Sequence, residues 1–161
     1  MSASNHRRRN APELPMAPLQ THELRIEVTP ADMPEDGFSN HVNNARYFAF
    51  INRVFIDWYV KMGIRVAGAS HSAMMVNTQY DFLNQVFYPG TVLCRVAVVK
   101  VGRTSMEHAI EMWDVTGEPK LAGRGKVTHV WVERAIAKPQ PWPPEILAKC
   151  WDGGAAVTNP A

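Results

Sequence analysis

The sequence predicts an α+β domain in which a curled antiparallel sheet of about five strands wraps around one long central helix. Two observations carry that prediction. Apolar residues alternate with polar ones in one early stretch, fall into steps of three and four from Ala45 to Met62, and then return to alternation in successive stretches separated by glycine and proline turns. The helical stretch is also apolar over a wide arc and so is expected to be largely buried, which a sheet curled around it achieves, although the order of elements alone also describes other α+β folds.

Each element follows from its own pattern. HELRIEVT, residues 22–29, alternates Leu24, Ile26 and Val28 with charged neighbours and reads as the first strand. A polar loop, ADMPEDGFSN, leads to the helix. There Phe48, Ile51, Phe55, Trp58 and Met62 form the expected buried stripe, and Arg53, Asp57 and Lys61 a polar ladder at i,i+4 spacing. After a loop with Gly63, Gly68 and Ser70, the alternation of Met74, Val76, Thr78, Tyr80 and Phe82 marks the second strand. Pro89-Gly90 turns into TVLCRVAVVKV, whose nearly continuous apolar character predicts a strand covered on both faces. SMEHAIEMW and KLAGRGKVTHVWVE follow, the latter with Gly123 and Gly125 at a bulge or a close backbone approach. PWPPEILAKCW predicts a short closing helix with proline at its start.

The chain has 161 residues, 46% hydrophobic and 20% charged, which suits one soluble globular domain with its own core. The domain is expected over residues 22–151, between flexible tails at 1–21 and 152–161 that lack an amphipathic pattern. A net charge of +2 gives no broad surface for nucleic acid, and Arg7, Arg8 and Arg9 make only a small basic spot. Cys94 and Cys150 have no ligand partners in sequence, no apolar run reaches the length of a membrane span, and no signal segment is evident, so a reducing cytoplasm is expected.

Chemistry concentrates in DGFSNHVNN, residues 36–44, at the mouth of the apolar helix. Asn43 or Asn44 can serve simply as a helix cap, since the first backbone N–H groups of a helix lack partners within it. The same unpaired N–H groups can stabilise a developing oxyanion, and a carboxylate just upstream can attack or activate water. His108 and His129 lie in alternating strands and read as hydrogen-bonded sheet histidines. His71, between Ser70 and Ser72, has no nucleophile motif around it. The six histidines include no HExxH pair, so neither a catalytic metal nor another cofactor is expected.

HVNNARYF, entering a long helix after an Asp-containing loop and a first strand, resembles the signature of hotdog-fold acyl-CoA thioesterases of the 4-hydroxybenzoyl-CoA thioesterase type. The resemblance extends from about His22 to Trp151 and takes in YDFLNQVFYPGT, the turn VGRTS and the PPEIL ending. It implies the hotdog fold and hydrolysis of an acyl-CoA or acyl-carrier thioester. It places Asp36 as base or nucleophile, Val42 and Asn43 at the oxyanion site, and His41 as shaper of the turn. Asn44, Tyr47, Phe48, Arg103, Thr104 and Ser105 become the substrate-binding set, with Tyr80 a further aromatic candidate for lining an acyl pocket. The family spacing between the aspartate and the histidine is one residue shorter, and a glycine stands where this chain has Asn40, so Asp32 and Glu35 remain alternative carboxylates. A second branch of the family carries its acid inside the helix, where this chain has Phe50, Ile51, Asn52 and Arg53 and no acid.

Two other functions remain open at this stage. Asp36 and His41 imitate the Asp-to-His spacing of hotdog enoyl-CoA hydratases, although Phe38-Ser39 stand where those enzymes carry Asn-Pro. A non-catalytic acyl-CoA-binding hotdog protein is the other. The resemblance also implies a homodimer with active sites at the subunit interface, possibly paired into a tetramer, and no nucleic-acid or membrane partner.

Overall fold

The computed structural model describes residues 21–64 and 69–150. Strand β1 (Thr21–Glu27) passes through a 3-10 turn (Pro30–Asp32) to helix α1 (Asn44–Lys61), and strands β2 (His71–Phe82), β3 (Thr91–Val101), β4 (Ser105–Asp114) and β5 (Lys120–Glu133) follow. A two-residue strand β6 (Lys138–Pro139) extends the sheet beside β5, and a short helix α2 (Pro144–Leu147) runs into a closing 3-10 turn (Ala148–Cys150). The expected tails lie outside the described residues, except that Thr21 already belongs to β1. Gly68, Arg7, Arg8, Arg9 and Trp151 also lie outside.

The sheet is antiparallel in the order β1-β3-β4-β5-β2. It wraps α1, whose Phe50, Ile51, Val54, Phe55 and Trp58 are buried against Ile26 of β1, Val92, Cys94, Val96 and Val98 of β3, Ile110 and Met112 of β4, and Val127 of β5. On the outer flank of the helix Asp57 pairs with Lys61 at 3.1 Å and with His22 of β1 at 2.6 Å, so the polar ladder also ties helix to sheet.

Four expectations change. The helix stripe is centred on Tyr47, Phe50, Ile51, Val54, Phe55, Trp58 and Tyr59, whereas Phe48 is 46% exposed at the helix mouth. Strand β2 begins at His71 rather than Met74, because its pairing with β5 through His71↔Glu133 and Ser72↔Val132 makes strand of residues that lack alternation. The outer face of β3 is only half-buried: Leu93, Arg95 and Val99 lie among cross-strand neighbours rather than under a second layer. His108 and His129 are buried but are not the hydrogen-bonded sheet histidines expected, since among the described residues both nitrogens of His108 and Nδ1 of His129 have no hydrogen-bond partner.

The close backbone approach at Gly123 and Gly125 is present. A Cβ on Gly125 would collide with the Gln79 carbonyl of β2, and one on Gly123 with the Tyr80 ring and the Asp81 carbonyl. Glycine thus lets β2 and β5 lie close beside the aromatic residues near the helix start.

Candidate active site

The loop before α1 is fastened on both sides. Asn40 accepts from the Tyr88 N–H at 2.8 Å, Val42 donates to the Val86 carbonyl at 2.8 Å, and His41 bridges Phe87. On the other side Asn43 donates to the Asp32 carbonyl at 2.8 Å. The entry to α1 is therefore held between the segment before β3 and the 3-10 turn.

Asp32 is the anchor of this arrangement. It is 3% exposed, and one carboxylate oxygen accepts from the Thr29 N–H at 2.8 Å and the Thr29 hydroxyl at 2.7 Å. The other accepts from Arg46 Nε and Nη2, each at 2.8 Å, on the first turn of α1. Burial pushes its pKa up, but the Thr29 and Arg46 contacts outweigh burial and leave it below the usual carboxylate range. Both oxygens are engaged and enclosed.

Asp36 is different. It is exposed and accepts from the Ser39 hydroxyl, the Ser39 N–H at 2.9 Å and the Phe38 N–H at 3.1 Å. The Ser39 hydroxyl first, then the two N–H groups, hold its pKa below the usual value, so it is an anion at neutral pH. Gly37, at φ +78°, supplies the left-handed residue of this turn. Glu35 is exposed.

The helix start itself divides the donors. Asn43 is the cap: its side-chain oxygen accepts from the Ala45 N–H at 2.9 Å, and its carbonyl accepts from the Arg46 N–H at 2.8 Å. The N–H groups of Val42 and Asn43, expected near the oxyanion site, are engaged by the Val86 and Asp32 carbonyls in this structure. Among the described residues, the helix-entry N–H left without an acceptor is that of Asn44, the first residue of α1, which is exposed.

Aromatic side chains crowd this mouth. Tyr47 packs against Tyr80 at 5.8 Å and edge-on against Phe82 at 5.3 Å between ring centroids. Phe38 is 86% exposed, and Phe48, Phe82, Leu83, Phe87 and Tyr88 are exposed as well. Such an apolar patch beside charged and polar groups marks a surface for a ligand or a partner.

Arg103, Thr104 and Ser105 do not join this group within one chain. They form the β3–β4 turn, bonded to Trp131 and Trp142, and all of β3 separates that turn from the helix mouth, about 33 Å at about 3.3 Å per residue. A cavity of about 510 Å³ lies at that same far end, lined by Met62, Ile64, His71, Trp131, Ile146 and Lys149 among others. At the helix mouth of a single chain Asp36, Phe38, Asn44 and Phe48 are exposed. Among the described residues no three metal-ligating side chains converge.

The fold agrees with the comparisons. The model of the thioesterase-like superfamily matches residues 28–150. The chain belongs to that superfamily. Membership assigns thioester hydrolysis as its class of chemistry. No match was found among curated proteins. Among solved structures, the PA2801 protein from Pseudomonas aeruginosa, a candidate thioesterase, is 27% identical, with 81% of this chain and 98% of that one covered at a TM-score of 0.74. Slr0204, a 1,4-dihydroxy-2-naphthoyl-CoA thioesterase from Synechocystis, is 14% identical over 80% of this chain and 94% of that one, TM-score 0.70. A 4-hydroxybenzoyl-CoA thioesterase variant in complex with 4-hydroxybenzoyl-CoA is 13% identical over 81% and 98%, TM-score 0.69. The last two show the shared fold. No helix among the described residues is long and apolar enough to cross a membrane.

Proposed function

We propose that the protein hydrolyses acyl-CoA thioesters, with Asp36 as the working carboxylate and the Asn44 N–H as the oxyanion donor. The observation that carries this reading is the contrast at the helix mouth. Of the carboxylates before α1, Asp32 is locked into structure, while Asp36 is an exposed anion in the loop that leads to a helix start whose first N–H is free. A thioester carbonyl seated against Asn44 would gain from that N–H as its oxygen becomes negative. Asp36 then attacks the carbonyl carbon directly, expelling thiolate and leaving an anhydride that water cleaves, or takes a proton from the attacking water. Either route gives free acid and thiol. The exposed aromatic patch supports an apolar acyl group beside the reacting carbon.

The reading includes a homodimer. Asp36 and Phe38 stand open to solvent in one chain, and the set Arg103, Thr104 and Ser105 can reach a helix mouth only from a second copy. We place that copy along β2, the long edge strand of the sheet, with further pairing to a tetramer left to the mass measurement. Binding of CoA rather than an acyl carrier is supported by the complexes of structural neighbours with CoA and with 4-hydroxybenzoyl-CoA.

Thiol release across a panel of aryl- and alkyl-CoA thioesters tests the function. Turnover of at least one class, abolished by Asp36→Ala, is expected. Hydration of an enoyl-CoA without thiol release would make the protein a hydratase, and tight binding without any turnover would make it an acyl-CoA-binding protein.

A further inference from the structure

Two histidines outside the helix mouth lie in the centre of the fold. His108 on β4 and His129 on β5 are 0% and 2% exposed, and their rings meet edge to face with centroids 5.2 Å apart. Helix α1 closes over them. Phe55 stands 4.9 Å from His108 and 4.5 Å from His129, Trp58 stands 4.9 Å from His108, and Tyr59 stands 5.4 Å from His129. The ring nitrogens left without partners are joined by the Tyr59 hydroxyl, also buried and unpaired. A polar atom in that position is tolerated while neutral, but among the described residues a charge there meets no acidic partner.

We propose that His108 and His129 form an acid-triggered release for helix α1: when both rings take up protons, the helix is driven off the sheet and the site at its start comes apart. The idea stands apart from the hydrolase reading, and its test needs no substrate.

Among the described residues the surroundings offer the charge no acidic partner, and the Val127 carbonyl alone favours the charged form of His108. Helix α1 presents Phe55, Trp58 and Tyr59. Across the sheet, Val98 of β3 and Val127 of β5 lie opposite His108, while Met75 of β2 and Met106 of β4 lie opposite His129. Cys150, beyond α2, touches Met106 and lies near Tyr59. Of these only Tyr59 and Cys150 titrate, and burial pushes both up, the thiol to about 12, so both stay neutral in acid. No carboxylate is in this set.

Burial lowers His129 to about 3. It lowers His108 well below the ordinary histidine value, helped by His129 and opposed by a weak pull from the Val127 carbonyl. In the unfolded chain both would titrate near 6.5. Because folding depresses both values, the stability the pair permits is complete above about pH 6.5 and is lost as the pH falls. Each histidine weakens the folding equilibrium by up to about tenfold per pH unit. Asp32 and Asp57, also depressed by folding, withdraw their contributions only below about pH 4.

The experiment follows the whole chain from pH 7.5 to 4.5 by urea unfolding and by hydrogen exchange, with rates corrected for intrinsic pH dependence. The expected result is a fall in the folding equilibrium of up to about a hundredfold per pH unit below 6.5, with early loss of protection in α1. His108→Leu and His129→Leu should each remove up to about tenfold per unit, and the double variant should be nearly flat. Unchanged profiles in the variants would overturn the proposal. Should the variants fail to fold, imidazole nitrogen NMR of the wild-type chain decides: both rings must remain neutral at pH 5.5 in the native state, and titration near 6.5 would overturn it.

Discussion

Asp32 and Asp36 are four residues apart and meet different fates. Asp32 spends both oxygens on Thr29 and Arg46 inside the fold, whereas Asp36 bonds only within its own turn and faces outward. Asp36→Ala should therefore cost about two to four decades of turnover with almost no change in melting temperature. Asp32→Ala should lower stability by about 1–3 kcal/mol by leaving the Thr29 and Arg46 donors unpaired, which thermal melting would show. Normal turnover in Asp36→Ala together with loss in Glu35→Ala would move the reaction to Glu35. Asn43 gives a second test at this scale. Asn43→Ser keeps an oxygen for the Ala45 N–H and should retain most activity. Asn43→Ala should cost about 0.5–2 kcal/mol in stability. Asn43→Asp can still cap, but it sets a negative charge beside the Asn44 N–H, and turnover of the folded protein should fall strongly. Equal activity in Asn43→Ser and Asn43→Asp would leave Asn43 as a cap alone. The motif's place at the helix mouth was legible from the sequence. Which N–H remains free was not, because that depends on Val86 and the Asp32 carbonyl, contacts that arise only when the loop folds down.

At the scale of elements, periodicity read the fold well. Strands β3 and β5 have the bounds their patterns predicted, and α1 is shifted by a single residue. The failures have physical causes. Phe48 fits the helical period, but period says nothing about where a sheet stops covering the first turn. His71–Ala73 have no alternation and become strand through pairing with β5. The polar character of His108 and His129 suggested hydrogen bonds, yet the strands turn them toward the aromatic face of α1. Gly125 was readable as a close approach, and its reason is now specific. Gly125→Ala should push the Gln79 backbone away, separate β2 from β5 and cost about 1–3 kcal/mol. Denaturant unfolding measures that loss. A neutral result would mean that β2 shifts freely, which would also loosen Tyr80 and Phe82 beside Tyr47.

At the scale of the whole molecule, the sheet has two edges of unlike character. Strand β1 is short and carries Glu23, Arg25 and Glu27, charges that discourage pairing with another chain. Strand β2 is 12 residues long and leaves Met74 and Val76 exposed near its middle. An antiparallel pairing of β2 with its own copy would obey two-fold symmetry and bring Met74 and Val76 of both chains together. It would also set the far end of one chain, with His71 and the β3–β4 turn, beside the helix mouth of the other, because Phe82 at one end of β2 touches Tyr47 while His71 lies at the opposite end. Light scattering at micromolar concentration should then return at least twice the chain mass of 18.1 kDa. Val76→Lys would bury an unpaired ammonium at the symmetry axis, a change that weakens such contacts by about 3–5 kcal/mol, or between two and four decades in dissociation constant. The variant should run as a folded monomer and lose turnover with the partner that completes its site. A wild-type mass of 18.1 kDa, or a Val76→Lys monomer with full activity, would show that one chain carries the whole site and that Arg103, Thr104 and Ser105 have no part in it.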